Sequence, residues 1–394
     1  MAEHDIDRAI RRLAQTPLSR RGFLWASTMS ASAAFLAACS SGGGTTASQA
    51  AGATPLPSFS VPSDIEKELF MYNWGDYVDP GNMKTFQEQY GVTKFTYDTF
   101  ANNDEMMAKF QGGATGQWDI CCPTMNYVPA MRDQGFIQKI DKAKIPNLSL
   151  MNKAFQGQWW DPTDEWQVPK DWGTTGISVR TKVVKEDVST WKSFLEVAPK
   201  YSGKVVLVDS PDDVFIAPLK ARGYSLNSGD QKELEEARQD LLALAPHVLA
   251  LDSDQYNTKI ETEEAVLGLT WTGGILELRD KPETADVVYH IPTDGTVFWM
   301  DSWVVLADAP HPIASHAWIN FIHIPQIQAI ETMTNQYATP NDAAKEFIDP
   351  DMLADPAIFV KDDVMAKLEA QKDNSGITQR QDIWEEFKSK IGQG

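Results

Sequence analysis

The stretch from residue 68 to residue 100, ELFMYNWGDYVDPGNMKTFQEQYGVTKFTYDTF, decides the fold class. Its apolar runs at 68–72 and 93–97 are typical of strands, and the segment 81–90 between them has the pattern of a helix. A strand, a helix and a second strand in this order predict a βαβ unit, whose two strands run parallel.

The same alternation continues along the 394-residue chain. Further strands are predicted at 119–122, 205–208 and 266–270, and further helices at 104–110, 127–134, 214–222 and 229–244. These elements indicate an α/β fold with parallel sheets. The folded part has roughly 330 residues, more than one hydrophobic core usually organises, so two lobes are expected.

Aromatic and acidic residues follow the predicted strand ends, where parallel sheets bind ligands. They are Trp74–Tyr77, residues 123–127, residues 209–213 and Trp271, and a further motif, residues 298–301, reads FWMD. A carboxylate neutralises an ammonium ion, and an aromatic face attracts it by ~0.5–2 kcal/mol. The pattern therefore suits an alkylammonium ligand. The alternative interpretation is core tryptophans with surface aspartates, and simple helix capping at 209–213, where Asp212 is interpreted as a solvated neighbour of the cap.

Residues 1–38 have the features of an export signal. The segment Ser19–Leu24, SRRGFL, carries Arg20 and Arg21 as a twin-arginine pair, and an uncharged Ala/Ser-rich stretch follows. That stretch is too short and too weakly apolar for a spanning helix, which needs ~20 apolar residues. Residues 1–38 are therefore predicted to direct export.

The sequence LAAC at Leu36–Cys39 predicts a lipid anchor, because it is typical of a lipobox in which Cys39 is acylated. Residues 39–63 are rich in Ser, Gly, Thr, Ala and Pro, the composition of a flexible tether. Attachment to the outer face of the cytoplasmic membrane is expected through lipid alone.

The charge of the chain is strongly acidic, with a formal net charge of −20 and a pI near 4.7. Residues 1–38 carry a net +2, so the mature protein lies near −22. Such a field disfavours nucleic acid and anionic substrates and favours cations, although solubility alone accounts for it equally well.

Cysteine and histidine indicate neither a disulfide framework nor a metal site. Apart from the lipobox, the chain has only the adjacent Cys121 and Cys122, which are expected to be thiols in a buried strand, with a strained vicinal disulfide as the alternative. His311, His316 and His323 lack metal-ligand spacing, and no cofactor is expected.

From about Leu69 to the C-terminus the chain resembles the spermidine/putrescine-binding proteins of bacterial ABC importers. The segments that carry this resemblance are YNWGDY at 72–77, GFIQKID at 135–141, VF at 214–215, GLTW at 268–271, FWMDS at 298–302 and YATPN at 337–341. The resemblance implies a two-lobed type II periplasmic-binding, or Venus flytrap, fold. It also implies a ligand-binding protein instead of an enzyme.

The resemblance assigns a set of ligand-binding positions. They are Trp74, Asp76, Tyr77, Thr124, Asn126, Ser210, Asp213, Trp271, Trp299, Asp301 and Tyr337. Asn126 stands where the spermidine binder has tyrosine, and Ser210 stands where it has a second acid. The family's late glutamine has Asn374 or Gln379 as candidate equivalents, so the particular amine stays open.

The resemblance also implies where the chain passes between lobes: near residues 172–177, 296–301 and 341–345. Lobe I is then expected to comprise residues 64–177 and 301–345, and lobe II residues 178–300 and 346–394.

The sequence thus predicts an exported, lipid-anchored, monomeric receptor that closes on a polyamine and docks on ABC permease subunits. The alternatives are a receptor for another cation such as betaine or thiamine, an exported carboxylate-dependent hydrolase, and a lipoprotein adhesin or sensor. Three acids from two lobes favour a primary diamine over a quaternary ammonium, which needs fewer carboxylates.

Overall fold

A computed structural model of the chain describes residues 61–279, 281–372, 374 and 377–392. These residues belong to one compact unit. Arg20, Arg21, Cys39 and most of the predicted tether lie outside the described residues. Within the described ranges, no helix has the length and apolar character needed to cross a bilayer.

The strands confirm the alternating pattern. In chain order they are β1 (Glu68–Trp74), β2 (Lys94–Phe100), β3 (Ile120–Cys121), β4 (Val168–Arg180), β5 (Val205–Leu207), β6 (Val248–Leu251), β7 (Leu267–Trp271), β8 (Val287–His290), β9 (Val297–Val305) and β10 (Glu369–Ala370).

The α-helices fill the connections between strands and form the C-terminal part. They are α1 (Pro80–Tyr90), α2 (Asn103–Gln111), α3 (Val128–Asp133), α4 (Trp191–Val197), α5 (Pro211–Val214), α6 (Ile216–Ala221), α7 (Gln231–Leu244), α8 (Tyr256–Glu261), α9 (Thr272–Leu276), α10 (Pro312–Ile322), α11 (Pro325–Asn335), α12 (Pro350–Leu353), α13 (Asp362–Met365) and α14 (Thr378–Lys390).

The sheet contains two groups of parallel strands. Its order is β2-β1-β3-β9-β4-β7-β5-β6, with β8 paired to β4 and β10 paired to β9. In the first strand group β1 runs parallel to β2 and β3, and in the second β5 runs parallel to β6 and β7. The long strands β4 and β9 are antiparallel to each other and join the groups. The predicted α/β class is therefore confirmed.

Strand β4 is buried along its whole length because it serves both groups. Residues 168–174 pair with β9, and residues 175–180 pair with β7 and β8. The FWMD motif occupies the first half of β9, where it pairs with β4 between the two strand groups.

The segment after β5 differs from its prediction. The expected helix at 214–222 starts earlier, at Pro211, and is interrupted at Phe215. Ser210 is the N-cap, since its side chain accepts the backbone N–H of Asp213 at 3.4 Å. Asp212 and Asp213 lie in the first turn, where the helix dipole favours carboxylates.

The adjacent cysteines behave as the sequence predicts. Cys121 and Cys122 are buried free thiols beside β1 and β9. Burial raises the pKa of both thiols well above the ordinary value, which keeps them uncharged.

Candidate functional site

The carboxyl ends of the parallel strands converge on one cleft of about 250 Å³, a size that suits a small molecule. The structure brings all the predicted ligand-binding residues to its walls: Trp74, Asp76, Tyr77, Thr124, Asn126, Ser210, Asp213, Trp271, Trp299, Asp301 and Tyr337. The first strand group, the second strand group and the joining strand β9 each contribute part of this lining.

The charge of the cleft has a single sign. Its acidic lining residues are Asp76, Asp104, Asp212, Asp213, Asp254, Glu277 and Asp301. Among the described residues of the lining there is no Lys, Arg or His. A cleft with several carboxylates and no basic side chain stabilises cations and repels anions.

Aromatic rings form much of the remaining wall. Trp74 at the end of β1 meets Trp271 at the end of β7 edge to face, with ring centroids 5.6 Å apart. Deeper in the cleft, Trp299 packs against Tyr337 at 4.9 Å, and Tyr337 against Tyr77 at 5.8 Å. The Trp74 indole is fixed by its N–H, which donates to the Cys122 carbonyl at 2.9 Å. These faces can pack on methylenes and attract an ammonium group.

Asp301 is a buried carboxylate of the cleft with free acceptor capacity. It is 5% exposed, and its Oδ2 lies 2.8 Å from the Tyr77 hydroxyl. Its Oδ1 is buried without a hydrogen-bond partner in the part of the chain that the structure describes. Burial, followed by repulsion from Asp171, raises the pKa of Asp301 to about 7. A cation beside Oδ1 would satisfy this oxygen and stabilise its charge.

Asp213 lies on α5, directly after β5 of the second strand group, and is held by two donors. The Thr175 hydroxyl donates to Oδ1, and the Trp271 indole N–H donates to Oδ2 at 3.2 Å. Burial raises the pKa of Asp213, and these hydrogen bonds oppose the rise. The same contacts orient Trp271, so the carboxylate and the aromatic face are positioned together.

Asp212 corrects a prediction. It is partly buried and lines the cleft instead of standing free in solvent. Its Oδ2 accepts from Asn126 Nδ2 at 3.2 Å and lies 3.4 Å from the Tyr127 hydroxyl. Burial, with repulsion from Asp104 and Asp213, raises its pKa to about 7. Asn126 and Tyr127, which follow β3 of the first strand group, cover the Asp212 carboxylate.

The remaining predicted residues have supporting positions. Asp76 is exposed at the mouth, with φ of 50°, a left-handed conformation that Asp adopts more readily than most residues. Thr124 is held by Asn103, whose Nδ2 donates to the hydroxyl at 3.0 Å. The Ser210 side chain caps a helix, as described above.

Several lining residues were missed by the sequence reasoning: Asp104, Asp254, Tyr256, Glu277 and Gln371. Asp254 and Tyr256 follow β6, so recognising that strand would have found them. Neither of the two residues expected to be equivalent to the family's late glutamine lines the cleft. Asn374 borders a neighbouring cavity, and Gln379 Nε2 donates to the Gln231 backbone carbonyl at 3.2 Å. Gln371 lines the cleft instead, with its Nε2 buried and unpartnered among the described residues.

Comparisons with known proteins agree with this geometry. Residues 82–360 match the family described as bacterial extracellular solute-binding proteins. The chain is 33% identical to the spermidine/putrescine-binding periplasmic protein of Escherichia coli over 346 residues, covering 88% of this chain and 97% of that protein. It is 29% identical to the putrescine-binding periplasmic protein SpuD of Pseudomonas aeruginosa, covering 80% and 89%.

Solved structures give the same result. A putative spermidine/putrescine ABC transporter protein from Listeria monocytogenes superposes with a TM-score of 0.77 at 28% identity, over 82% of this chain and 99% of that one. The spermidine/putrescine substrate-binding protein PotD from Streptococcus pneumoniae superposes with a TM-score of 0.68 at 28% identity, with the same coverage.

Proposed function

This chain belongs to the bacterial extracellular solute-binding proteins, in the spermidine/putrescine-binding group, and on that premise we propose that its cleft captures a polyamine for an ABC importer. The relatives are substrate-binding proteins of transporters, not enzymes. One observation carries the proposal. The charged residues that line the cleft are all acidic, aromatic rings form its walls, and Asp301 Oδ1 is buried there without a hydrogen-bond partner among the described residues.

A primary amine fits this site better than a quaternary ammonium. An alkylammonium group donates hydrogen bonds, and Asp301 Oδ1 and the buried, unpartnered Asn126 Oδ1 both need donors. Betaine and other quaternary cations have no N–H and would leave these oxygens unsatisfied, at ~1–3 kcal/mol for each neutral group. In thiamine the cationic thiazolium nitrogen is quaternary, so the charged centre itself has no N–H to donate to Asp301.

Each side of the cleft has its own role in this proposal. Asp301 neutralises one ammonium group beside Trp299 and Tyr337. Asp213 neutralises another beside Trp271, with Asp212 as a second acid on the same helix. The alkyl chain between them packs on Trp74 and its neighbours, where apolar burial adds ~25 cal/mol per Å².

Closure of two lobes would couple capture to transport. We take lobe I as residues 64–177 and 301–345 and lobe II as residues 178–300 and 346–394, with β4 and β9 as the flexible connection. Two contacts support a closed state, the Asn126–Asp212 hydrogen bond and the Trp74–Trp271 ring pair. Ammonium groups paired to acids of both lobes would hold them together, because an unpaired buried charge costs several kcal/mol.

The proposal extends to location and partners. The protein acts outside the cytoplasm, as its periplasmic relatives do, and we propose that Arg20 and Arg21 direct its export. Acylated Cys39 then holds it on the membrane surface. From there the closed form, as a monomer, docks on the transmembrane permease subunits.

Thermal unfolding with a panel of cations tests the ligand class. The purified protein is refolded to remove retained ligand and then heated with putrescine, spermidine, agmatine or glycine betaine. A ligand at 100 times its Kd stabilises the fold by ~2.7 kcal/mol, which is a shift of several degrees. Polyamines are expected to shift the melting temperature and glycine betaine is not; the reverse order would reject a polyamine cleft.

A further inference from the structure

Behind the ligand cleft, Lys170 and Asp171 form a buried ion pair that does not line the cleft but contacts the cleft residue Tyr77, which in turn lies beside Asp301. The Lys170 side chain is 1% exposed and that of Asp171 is 3% exposed, and the two form a salt bridge. Lys170 Nζ also lies 3.4 Å from the centroid of the Tyr77 ring, a cation–π contact. Since burying an ion pair brings a desolvation penalty, this cluster calls for a functional explanation.

A β-bulge makes the salt bridge between sequence neighbours possible. In a regular strand, residues 170 and 171 would point to opposite faces of the sheet. The register between β4 and β9 shifts between Pro169 and Asp171, and Lys170 is the extra residue. Such a bulge re-aims its side chains, so the lysine and the aspartate meet on one side.

The same register sets two carboxylates against each other. Asp171 pairs directly with Asp301 across β4 and β9. Like charges directly opposite on neighbouring strands repel. The Tyr77 hydroxyl lies between the two carboxylates. It hydrogen-bonds to Asp171 Oδ1 and is 2.8 Å from Asp301 Oδ2.

The number of hydrogen atoms available to Tyr77 and the two carboxylates decides whether Asp301 is protonated. Burial raises the pKa of Tyr77 well above its ordinary value, so the hydroxyl keeps its hydrogen and can donate it to one carboxylate only. Asp171 is the acceptor of this hydrogen, because Lys170 forms a salt bridge with its other oxygen. The contact between Asp301 and the Tyr77 oxygen then needs a hydrogen on Asp301 itself.

We propose that Lys170 and Asp171 are positioning residues for ligand capture: through Tyr77 they hold a proton on Asp301 in the empty cleft, and the arriving ammonium group displaces it. The inference rests on the proposed function. In the exchange Asp301–COOH and R–NH3⁺ become the ion pair Asp301–COO⁻ and R–NH3⁺, and the released proton goes to solvent. The free Oδ1 of Asp301, which lines the cleft, is where the pair forms.

Two further cleft carboxyls, Asp212 and Glu277, also have pKa values raised to about 7 by burial and can add to the proton release. At the Tyr77 hydroxyl itself, three neighbouring titratable groups do not replace Asp301 as the proton carrier. Cys122, after β3, and Tyr337, after α11, stay neutral because burial raises their pKa values. Glu331 on α11 is also buried, and its pKa is raised to about 7. Its oxygens, however, accept from Asn82 Nδ2 at 2.6 Å and from the Asp79 backbone N–H at 3.1 Å, not from the Tyr77 hydroxyl.

Calorimetric titration with putrescine in buffers of different ionisation enthalpy measures the proton count. The unmodified protein is expected to release about one proton or more per ligand at pH 6, and markedly fewer at pH 8.5. Its Kd should weaken by up to about tenfold per unit below pH 7, although the amine itself stays protonated. Binding with no proton release and a constant Kd from pH 5.5 to 8 would overturn the inference but not the proposed function, which fails only if no polyamine binds.

Variants identify the cause of the proton release. The double variant Lys170→Met with Asp171→Leu removes the ion pair and the competing acceptor while keeping side-chain size, a change that cores often tolerate. Tyr77 can then donate to Asp301 alone, so the proton release at pH 6 should fall by about half a proton or more. Glu331→Gln is the matched control and should keep the release of the unmodified protein. An unchanged count in the double variant, or the same loss in the control, would contradict the assigned roles.

Discussion

Asn126 Nδ2 lies 3.2 Å from Asp212 Oδ2, and this hydrogen bond joins the loop after β3 to the first turn of α5 across the cleft. Asn126 is one of the positions at which the chain departs from the spermidine-binding pattern, where a tyrosine is expected. At this position the shorter asparagine side chain donates to a protein carboxylate. The departure is therefore tied to Asp212, a residue whose role the sequence did not indicate.

Asp301→Asn is predicted to weaken putrescine binding far more than Asp212→Asn. Asp301 has a free, buried oxygen for the ligand, and removal of one partner of a buried ion pair costs ~3–5 kcal/mol, or about two to four decades in Kd. An asparagine at 212 can still accept from Asn126, so only part of the local charge is lost. Calorimetric titration of both variants measures the difference, and equal losses would reject the assigned order.

Trp271→Ala and Trp299→Ala are predicted to weaken binding by intermediate amounts, about one to two decades in Kd. Each removes a cation–π face and apolar contact with the ligand. Trp271→Phe keeps a ring but loses the N–H donated to Asp213, so it separates packing from hydrogen bonding. If Trp271→Ala titrated like the unmodified protein, the aromatic wall at the end of β7 would have no role in binding.

The ligand-free protein is predicted to be less stable at pH 8 than at pH 5.5. Asp301, Asp212 and Glu331 have pKa values raised to about 7 by burial, whereas unfolded carboxyls titrate near ~4. Between these values the folded state binds more protons than the unfolded state, so these groups lower the unfolding free energy as pH rises to about 7. A bound polyamine neutralises buried carboxylates of the cleft that are ionised at pH 8, so the thermal shift that it causes should be larger at pH 8 than at pH 5.5.

Asp301→Asn and Asp212→Asn are the controls for that pH dependence. Each removes one titrating group, so ligand-free melting should differ less between pH 5.5 and 8 than in the unmodified protein. Melting curves recorded by circular dichroism at both pH values give the comparison. A pH difference that neither variant reduces would assign the effect to other groups.

Cys39→Ala is predicted to leave the protein folded and exported but released from the membrane, because a single acylated residue supplies the anchor. Replacement of Arg20 and Arg21 by Lys should instead prevent export. Fractionation of cells that express each variant distinguishes the two effects. Membrane retention of Cys39→Ala would contradict the lipoprotein interpretation.

The sequence predicted the parts of the site that follow directly from strand ends. Trp74 and Trp271 lie at the ends of strongly apolar strands, and the structure places both in the cleft. Asp254 and Tyr256 were missed because β6 has only four residues, most of them partly exposed, and gives a weak pattern.

The ionic cluster behind the cleft could not be predicted from periodicity. It depends on the register of β4 against β9 and on a bulge at Lys170, and neither is fixed by the alternation of apolar residues. The burial of Asp212 depends in the same way on a loop more than eighty residues away along the chain. Local pattern determines which elements form, whereas these contacts depend on how the elements pack.

The most direct test of the account is calorimetric titration of refolded, ligand-free protein with putrescine and spermidine, with glycine betaine, whose quaternary ammonium has no N–H, as the control. The cleft with only acidic charges predicts saturable binding of one polyamine per chain. In Asp301→Asn the Kd should be weaker by two or more decades. No heat of binding with either polyamine, or equal binding to the unmodified protein and Asp301→Asn, would contradict the proposal that this cleft is a polyamine site.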